Sequence, residues 1–301
     1  MLAIIAPGQG AQTPGMLSAL IESAENKSLL TQWSEAIDLD LVRLGTTADA
    51  DEIKDTANAQ PLIVAAGLLG FRSLSSAKFS HVAGHSVGEI TAAAIAGVLT
   101  EVDAMKLVRA RGIEMAKAAA AKPAGMAAVL GGEREVVLQA IADLGLVAAN
   151  DNGGGQIVAA GDIDALGKLA PEGARVRPLA VAGAFHTSYM QPAVEAVKTL
   201  AASMSAIDAK VGVISNKDGE VITSGREVLD RIVNQISNPV RWDLCMETLS
   251  KAGITGAIEV PPAGTLVGLI KRAVPTIEGF ALKTPDDVQG AQDFAQTHGA
   301  K

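Results

Sequence analysis

The feature that most constrains the fold is a glycine-flanked serine between an apolar strand and a helix. Phe79–Ala83 is typical of a short buried strand, and Ile90–Ala96, rich in Ala and Ile, is typical of a helix. The run Gly-His-Ser-Val-Gly-Glu occupies positions 84–89 between them. A serine at such a turn has a strained backbone and an exposed hydroxyl, and the glycines allow a tight turn. The pattern predicts that Ser86 is a nucleophile; a serine that caps a buried helix is the alternative.

Two backbone regions are expected to supply polar groups beside this serine. The N–H of Val87 lies at the positive end of the following helix, where the oxyanion of an attacked acyl group would be stabilised. The loop at positions 8–10, with Gln9 between two glycines, follows the predicted strand Leu2–Ala6 and can present Gln9 to the same crevice. A dinucleotide-binding loop needs a third glycine where Thr13 stands, so that class is excluded.

The composition is that of a globular protein with a core of small aliphatic side chains. The chain has 301 residues, 49% of them hydrophobic and only 3% aromatic, so Ala, Val, Leu and Ile must fill the core. The net charge of −8 argues against nucleic acid or an anionic membrane as a partner, and no apolar run is long enough to span a bilayer. The lone cysteine, Cys245, precludes an internal disulfide and fits a reducing compartment. We therefore expect a cytoplasmic protein.

The order of the predicted elements indicates an α/β fold with an inserted small domain. Strands and helices alternate on both sides of the insert, which predicts a three-layer core with a parallel sheet over residues 1–123 and 184–301. Residues 124–183 instead follow the order β-α-β-β-α-β, which is that of a ferredoxin-like unit. The last residues, from about Asp286, are expected to be loosely attached.

The chain has four histidines, so a base for the serine can be sought by elimination. His85 neighbours Ser86, but consecutive side chains along an extended segment point to opposite sides. His81 lies inside the predicted strand, and His298 lies in the tail that is expected to be loose. His186, where the insert rejoins the core, remains as the candidate base; a structural histidine is the alternative.

An arginine lies on the apolar face of the predicted helix Asp103–Ala121. Leu107, Val108 and Met115 fall on the same side of this helix as Arg111. A buried guanidinium is costly unless it is paired, so Arg111 has either an internal carboxylate or the carboxylate of a ligand as its partner. The planar guanidinium suits a ligand carboxylate held by two hydrogen bonds.

Five motifs follow one another along the chain: Gly-Gln-Gly-Ala-Gln at 8–12, Gly-His-Ser-Val-Gly-Glu at 84–89, Arg-Ala-Arg-Gly at 109–112, Gly-Ala-Phe-His at 183–186 and Asn-Pro-Val at 238–240. This series resembles that of malonyl-CoA:acyl carrier protein transacylases, and the similarity extends over essentially the whole chain. The resemblance implies a free-standing acyltransferase of type II fatty acid synthesis. It also implies an α/β-hydrolase-like core with a ferredoxin-like insert, in agreement with the order of the elements.

The resemblance assigns a role to each residue of the predicted catalytic site. Ser86 is implied to be the nucleophile and His186 its base. The second ring nitrogen of the histidine is implied to donate to the backbone carbonyl of Gln235 rather than to an aspartate. The N–H groups of Gln9 and Val87 are implied to form the oxyanion hole.

The same resemblance narrows the substrate. Arg111 is implied to hold the free carboxylate of a malonyl group. Phe185 before the histidine, and Val87 rather than Gln after the serine, resemble malonyl-selective acyltransferase domains. A bulky Phe185 would crowd the methyl branch of a methylmalonyl group.

The expected activity is a ping-pong transfer from malonyl-CoA, through a serine ester, to the phosphopantetheine thiol of acyl carrier protein, for fatty acid or polyketide synthesis. No metal and no cofactor are expected beyond these two substrates. Acyl carrier protein is usually acidic, so Lys271 and Arg272 are candidates for a local basic docking patch; an ordinary solvated surface is the alternative. The alternatives are an α/β-hydrolase esterase or thioesterase, a non-catalytic module that docks acyl carrier protein, and the transacylase subunit of a malonate decarboxylase.

Overall fold

The chain folds into two β-sheets with helices packed against them. The structure is a computed structural model and describes residues 1–74 and 77–299. Its strands are β1 (Leu2–Ala6), β2 (His81–Gly84), β3 (Gly125–Gly131), β4 (Val147–Asp151), β5 (Gln156–Gly161), β6 (Ala174–Pro178), β7 (Gly212–Ile214), β8 (Val221–Ile222), β9 (Val240–Arg241), β10 (Gly256–Glu259) and β11 (Glu278–Ala281).

The α-helices alternate with these strands along much of the chain. They are α1 (Ala24–Ile37), α2 (Leu41–Thr46), α3 (Ala50–Lys54), α4 (Thr56–Arg72), α5 (Gly88–Ile95), α6 (Glu101–Ala121), α7 (Arg134–Asp143), α8 (Ile163–Lys168), α9 (Gln191–Ala202), α10 (Gly225–Gln235), α11 (Trp242–Lys251), α12 (Thr265–Ala273) and α13 (Val288–His298). The α/β class predicted from the sequence is therefore confirmed. Within the described ranges, no helix combines the length and the apolar character needed to cross a membrane.

The larger sheet has the strand order β11-β10-β1-β2-β7-β8. Its first five strands are parallel, but β8 pairs antiparallel with β7, so the expectation of a wholly parallel sheet is wrong at this edge. The reason is the length of the connection: only residues 215–220 join β7 to β8. Such a short link can make a hairpin but not the crossover that a parallel pair requires.

Both faces of the larger sheet are buried under helices. Leu2 and Ile4 of β1 face the hydrophobic cluster that includes α4, α5 and α6, while Ala3 and Ile5 face the cluster that includes α11 and α12. All four side chains are at most 1% exposed. Alternation along an extended strand places successive side chains in these two separate clusters. This arrangement explains why β1 is apolar at every position.

The smaller sheet has the order β6-β3-β5-β4-β9. Its first four strands pair antiparallel and come from one continuous segment of the chain. The fifth, β9, comes from much later in the sequence and pairs parallel with β4. Helices α7 and α8 cover one face, whereas Met126, Val158 and Ala160 of the other face join the core of the larger sheet. The two sheets therefore share one buried interface.

The C-terminal segment is packed against the sheet, so the expectation of a loose tail from Asp286 is wrong. Helix α13 buries Ala291 and Ala295, and the ring of Phe294 lies 5.6 Å from that of Phe280. The sequence signal for this helix is weak because its apolar residues are few. Packing against the sheet edge stabilises it instead.

The serine turn connects β2 to α5 with very little space around it. Ser86 has a φ of 54°, in the left-handed region that non-glycine residues seldom adopt. A Cβ at Gly84 would overlap the backbone of Gly88, and a Cβ at Gly88 would overlap the carbonyl of Ala6. The glycines are thus required because helix and strand backbones pass each other at contact distance.

We expect Gly84→Ala to destabilise the protein, because the added methyl group has to push the start of α5 away from β2. The free energy of unfolding should fall by about 1–3 kcal/mol or more, as measured by urea denaturation. Gly167→Ala in α8 is the matched control, since nothing lies within 4 Å of the added Cβ. Equal stability of the two variants would contradict the close approach at the turn.

Candidate active site

A cavity of about 370 Å³ lies at the carboxyl ends of β1 and β2, between the two sheets. This is the edge of a parallel sheet at which ligands usually bind. Residues from the segments that form the larger sheet and from those that form the smaller sheet line this cavity. They include Gly8, Gln9, Gln60, His85, Ser86, Met115, Met126, Asn150, Asn152, Val158, Phe185, His186 and Leu266. The smaller sheet therefore forms one wall of the cavity and the serine turn forms the opposite wall.

Ser86 and His186 form a hydrogen-bonded pair. The serine Oγ lies 2.8 Å from His186 Nε2, and His186 Nδ1 lies 3.0 Å from the backbone carbonyl oxygen of Gln235. A carbonyl can only accept, so Nδ1 carries the ring proton and Nε2 is free to accept the serine proton. Gln235 is the last residue of α10, where helix carbonyls have no partner within the helix. The arrangement holds one tautomer of the imidazole without an acidic third residue.

The pKa of His186 is strongly lowered, to about 3. Burial is the main cause, because the ring is removed from water, and the positive charge of Arg111 adds to the effect. The hydrogen bond to the Gln235 carbonyl opposes the shift only in part. His186 is consequently neutral over the physiological pH range and able to take a proton.

Two backbone amides near the serine have no internal acceptor. Throughout the described part of the chain, no group accepts a hydrogen bond from the N–H of Gln9 or of Val87. Val87 directly precedes α5, so its N–H belongs to the positive end of that helix. The side chain of Gln9 points away from this position, toward Thr56 and Gln60. Unpaired amides beside a nucleophile are the arrangement that stabilises an oxyanion.

The buried arginine predicted from the sequence lies next to the nucleophile. Arg111 is only 1% exposed, and its Nη2 lies 3.4 Å from Ser86 Oγ. The same nitrogen donates to Gln235 Oε1 at 3.0 Å, and Nη1 donates to Gln60 Oε1 at 2.7 Å. Neutral amide oxygens therefore hold the guanidinium in place and leave its charge uncompensated.

The internal carboxylate considered for Arg111 is not in contact with it. Among the described residues, no Asp or Glu forms an ion pair with this guanidinium. Burial lowers the pKa of Arg111 to about 10, and the charge of Glu89 opposes this shift only in part. Burial also raises the pKa of Glu89 itself to about 8, which favours its neutral form. Arg111 remains charged at neutral pH and lies beside Ser86 Oγ with no counter-ion within residues 1–74 and 77–299.

Phe185 and His85 also line the cavity. Phe185 is 6% exposed and directly precedes the histidine that contacts the serine. His85 and Ser86 both line the cavity, and the positive φ of Ser86 breaks the strand alternation from which opposite directions were expected. Its Nε2 contacts Asn152 Oδ1 at 2.8 Å, so His85 joins the serine turn to the smaller sheet.

Sequence reasoning missed three polar residues of this site. Gln60 holds Arg111, and its only signal was a polar side chain within the apolar stretch of α4. Asn216 bonds the amide of Ser86, and Glu89 bonds the amide of Asn216. The available sequence signal for Asn216 was an asparagine two residues after the end of a strand of the larger sheet.

Comparison with known proteins places this geometry in a family. Residues 4–290 match the family model of the acyl transferase domain, so the chain is an acyl transferase. The chain is 50% identical over 296 residues to the malonyl CoA-acyl carrier protein transacylase of Mycobacterium tuberculosis (strain ATCC 25618 / H37Rv), with 96% of this chain and 98% of the relative covered. It belongs to the malonyl CoA-acyl carrier protein transacylases, as the motif series predicted.

Solved structures give the same result. The crystal structure of MCAT from Mycobacterium tuberculosis superimposes with a TM-score of 0.94 at 50% identity, covering 97% of this chain and 99% of that one. A malonyl-transacylase solved in complex with its type II PKS acyl-carrier protein superimposes with a TM-score of 0.90 at 28% identity, with 97% and 99% covered. The fold and the motifs therefore point to one family.

We expect serine acylation to keep its rate in mild acid, because the base stays neutral. With a pKa of about 3 for His186, kcat/KM for acylation should change little between pH 7 and pH 5. A histidine with the ordinary pKa near 6.5 would lose roughly 20-fold over that range. Rapid-quench measurement of malonyl-enzyme formation provides the test, and an acid limb near pH 6.5 would contradict the lowered pKa.

The stability of the fold is measured at each pH as the control. The unfolded histidine titrates near 6.5 and the folded one near 3, so the unfolded chain binds more protons in between. The contribution of His186 to the free energy of unfolding is complete above pH 6.5 and is lost as the pH falls toward 3. Circular dichroism at every pH separates this loss from a change in the chemical step.

Proposed function

We propose that this protein transfers a malonyl group from malonyl-CoA, through an ester on Ser86, to the phosphopantetheine thiol of acyl carrier protein, for fatty acid or polyketide synthesis. The observation that carries the proposal is the uncompensated Arg111 guanidinium 3.4 Å from Ser86 Oγ. A short acyl group that ends in a carboxylate would supply the missing counter-ion at that distance. The names of the 50% identical curated relatives state the same two substrates.

In the first half-reaction, His186 Nε2 takes the proton of Ser86 as Oγ attacks the thioester carbonyl of malonyl-CoA. The carbonyl oxygen becomes an oxyanion, which the N–H groups of Gln9 and Val87 stabilise. When the tetrahedral intermediate collapses, the C–S bond breaks and CoA leaves as its thiol with the proton from His186. The Gln235 carbonyl keeps the Nδ1 proton in place throughout.

The second half-reaction reverses these steps with a different thiol. The phosphopantetheine thiol of acyl carrier protein gives its proton to His186 and attacks the malonyl ester of Ser86. The same two amides stabilise the second oxyanion. Oγ then leaves and recovers the proton from His186, which regenerates the free enzyme. Neither half-reaction needs a metal or a cofactor, because the thioester already supplies an activated acyl group.

Arg111 makes the site selective for acids. An acetyl group would leave the guanidinium buried and unpaired, whereas a malonyl carboxylate accepts its hydrogen bonds. Phe185 beside His186 narrows the space on the other side of the acyl chain, which disfavours a methyl branch. The charge of Arg111 thus selects an acyl group with a terminal carboxylate, and the size of Phe185 disfavours a branch at its central carbon.

We further propose that residues 1–123 and 184–301 form an α/β-hydrolase-like core and residues 124–183 a ferredoxin-like insert. Parallel pairing of five strands with helices on both faces supports the first assignment. The antiparallel order β6-β3-β5-β4 with two helices on one face supports the second. The short β9 lies outside the proposed insert but extends its sheet. Residues 300 and 301 lie outside the described residues.

Acyl carrier protein is the macromolecular partner in this proposal. The malonyl-transacylase that matches with a TM-score of 0.90 was solved in complex with its acyl-carrier protein. Arg272 of the predicted basic patch lies at the end of α12 and donates to Gln156, which lines the cavity. A carrier protein docked there would have its thiol arm close to the cavity. We place the reaction in the cytoplasm, which suits the lone buried cysteine.

Replacement of Ser86 by Ala is expected to abolish the malonyl adduct that intact mass spectrometry detects after incubation with malonyl-CoA. Peptide mapping of the wild-type adduct should locate it on Ser86. Ser80→Ala is the matched control, because Ser80 Oγ also lies next to a histidine, 2.9 Å from His81 Nδ1, but outside the cavity. An adduct that persists in Ser86→Ala would overturn the assignment. Malonate release at full speed without acyl carrier protein would indicate a hydrolase instead.

Arg111→Ala is expected to reduce kcat/KM for malonyl-CoA by about 10²-fold or more, because the carboxylate loses a charged partner in a buried site. The ratio of acetyl to malonyl transfer should rise. Competition between the two CoA esters, followed by mass analysis of acyl carrier protein, measures that ratio. Arg109→Ala is the control on the neighbouring surface, where Arg109 bonds the Ala57 carbonyl. Unchanged selectivity in Arg111→Ala would remove this arginine from the acyl site.

A further inference from the structure

Each polar group of one buried asparagine beside the serine turn forms a hydrogen bond within the protein. Asn216 lies two residues after the end of β7 and is 0% exposed. Its Oδ1 accepts from the backbone N–H of Ser86 at 2.8 Å, and its Nδ2 donates to the carbonyl of Gly84 at 2.7 Å. Its own N–H and carbonyl are also paired, with Glu89 and with the N–H of Arg241. A fully paired polar side chain in a core is rigid.

The two side-chain bonds bracket the strained part of the turn. Gly84 ends β2 and Ser86 has a positive φ, so the asparagine amide holds the residues on either side of His85. Only a side chain with an acceptor and a donor at fixed separation can make both bonds at once. The N–H of Ser86 lies beyond the end of β2, outside its strand pairing, so Asn216 Oδ1 supplies the acceptor that this N–H needs.

The same asparagine is connected to the partner of the histidine and to the helix after the serine. Gln235 Nε2 donates to Asn216 Oδ1 at 3.4 Å, and the carbonyl of Gln235 accepts from His186. The carboxylate oxygen Oε1 of Glu89, in the first turn of α5, accepts the Asn216 N–H at 2.7 Å. Asn216 is therefore bonded to the turn that carries Ser86, to the Gln235 that holds His186, and to the first turn of α5.

We propose that Asn216 is a positioning residue for acyl transfer, anchored by Glu89, which holds Ser86 Oγ in line with His186 Nε2. The inference rests on the proposed role of Ser86 as the nucleophile. The polar groups of Asn216 are all bonded within the protein, so it acts on the chemical step rather than on substrate binding. Loss of its side chain frees the turn to relax, and a misplacement of about 1 Å costs on the order of 10²-fold in rate.

The central test is the acylation rate of Asn216→Ala under single-turnover conditions with malonyl-CoA. The expected result is a roughly 10²-fold fall in kcat with KM within about twofold of wild type. The number of malonyl groups per folded chain at completion should still equal one. This count separates a slow but intact site from a fraction of unfolded protein. Acylation of Asn216→Ala at the wild-type kcat would overturn the inference.

Cys245→Ala is the matched control for disturbance of the core. The Cys245 thiol contacts Asn216 Nδ2 at 3.5 Å and is buried, but it bonds neither Ser86 nor Gly84. Its kcat is expected to stay within about threefold of wild type. If Asn216→Ala gives no folded protein, Asn216→Ser is measured instead, because the serine hydroxyl is small enough to fit in the space left by the asparagine side chain. The same fall in kcat with a nearly unchanged KM is then expected. A tenfold loss in Cys245→Ala would also overturn the inference, since general loosening of the core would then account for the effect.

The anchor is tested by a conservative pair at Glu89. Glu89→Ala removes the acceptor of the Asn216 N–H and should lower kcat about tenfold, with KM unchanged. Glu89→Gln keeps an oxygen at that position and should recover most of the loss. Equal kcat values for the two variants would exclude Glu89 as the anchor. A wild-type enzyme without any Ser86 adduct would instead contradict the proposed function, so the two failures are distinguishable.

Discussion

The close approach of α5 to the ends of β1 and β2 is the constraint on which the site depends. Gly84 and Gly88 allow the backbones to touch, and the chain can then reverse within three residues only by placing Ser86 at a positive φ. That conformation directs the hydroxyl toward the cavity and leaves the N–H of Val87 without an internal acceptor. The positions of the serine hydroxyl, of the Val87 amide and of the positive end of α5 therefore follow from one tight crossing of backbones.

Burial then sets the charges around the nucleophile. Removal from water lowers the pKa of His186 far more than that of a surface histidine, so the base is neutral where the enzyme works. The same burial leaves Arg111 as a cation held by the amide oxygens of Gln60 and Gln235. A neutral base beside an unpaired cation suits a substrate that brings one negative charge. In the proposed reaction, the substrate carboxylate would balance the guanidinium and thereby remove part of the field that disfavours a protonated His186.

Much of the site could be predicted because its signals are local in the sequence. The glycines around Ser86 and the arginine on the apolar side of α6 are visible within windows of a few residues. The α/β class follows from the alternation of elements in the same way. The antiparallel edge strand β8 was not predicted because it has only two residues, and the packed helix α13 because it is stabilised by neighbours distant in the chain. Gln60 and Asn216 were missed for the same reason.

By itself, the sequence determined the strand–serine–helix turn, the buried arginine and the family that the order of motifs indicates. Only the tertiary structure decided that His186 Nε2 lies 2.8 Å from a serine 100 positions earlier in the chain. It also decided that an asparagine 130 positions after Ser86 holds the amide of that serine. The physical reason is that turn geometry and helix periodicity depend on neighbouring residues, whereas hydrogen-bond distances, burial and pKa values depend on which remote segments pack together.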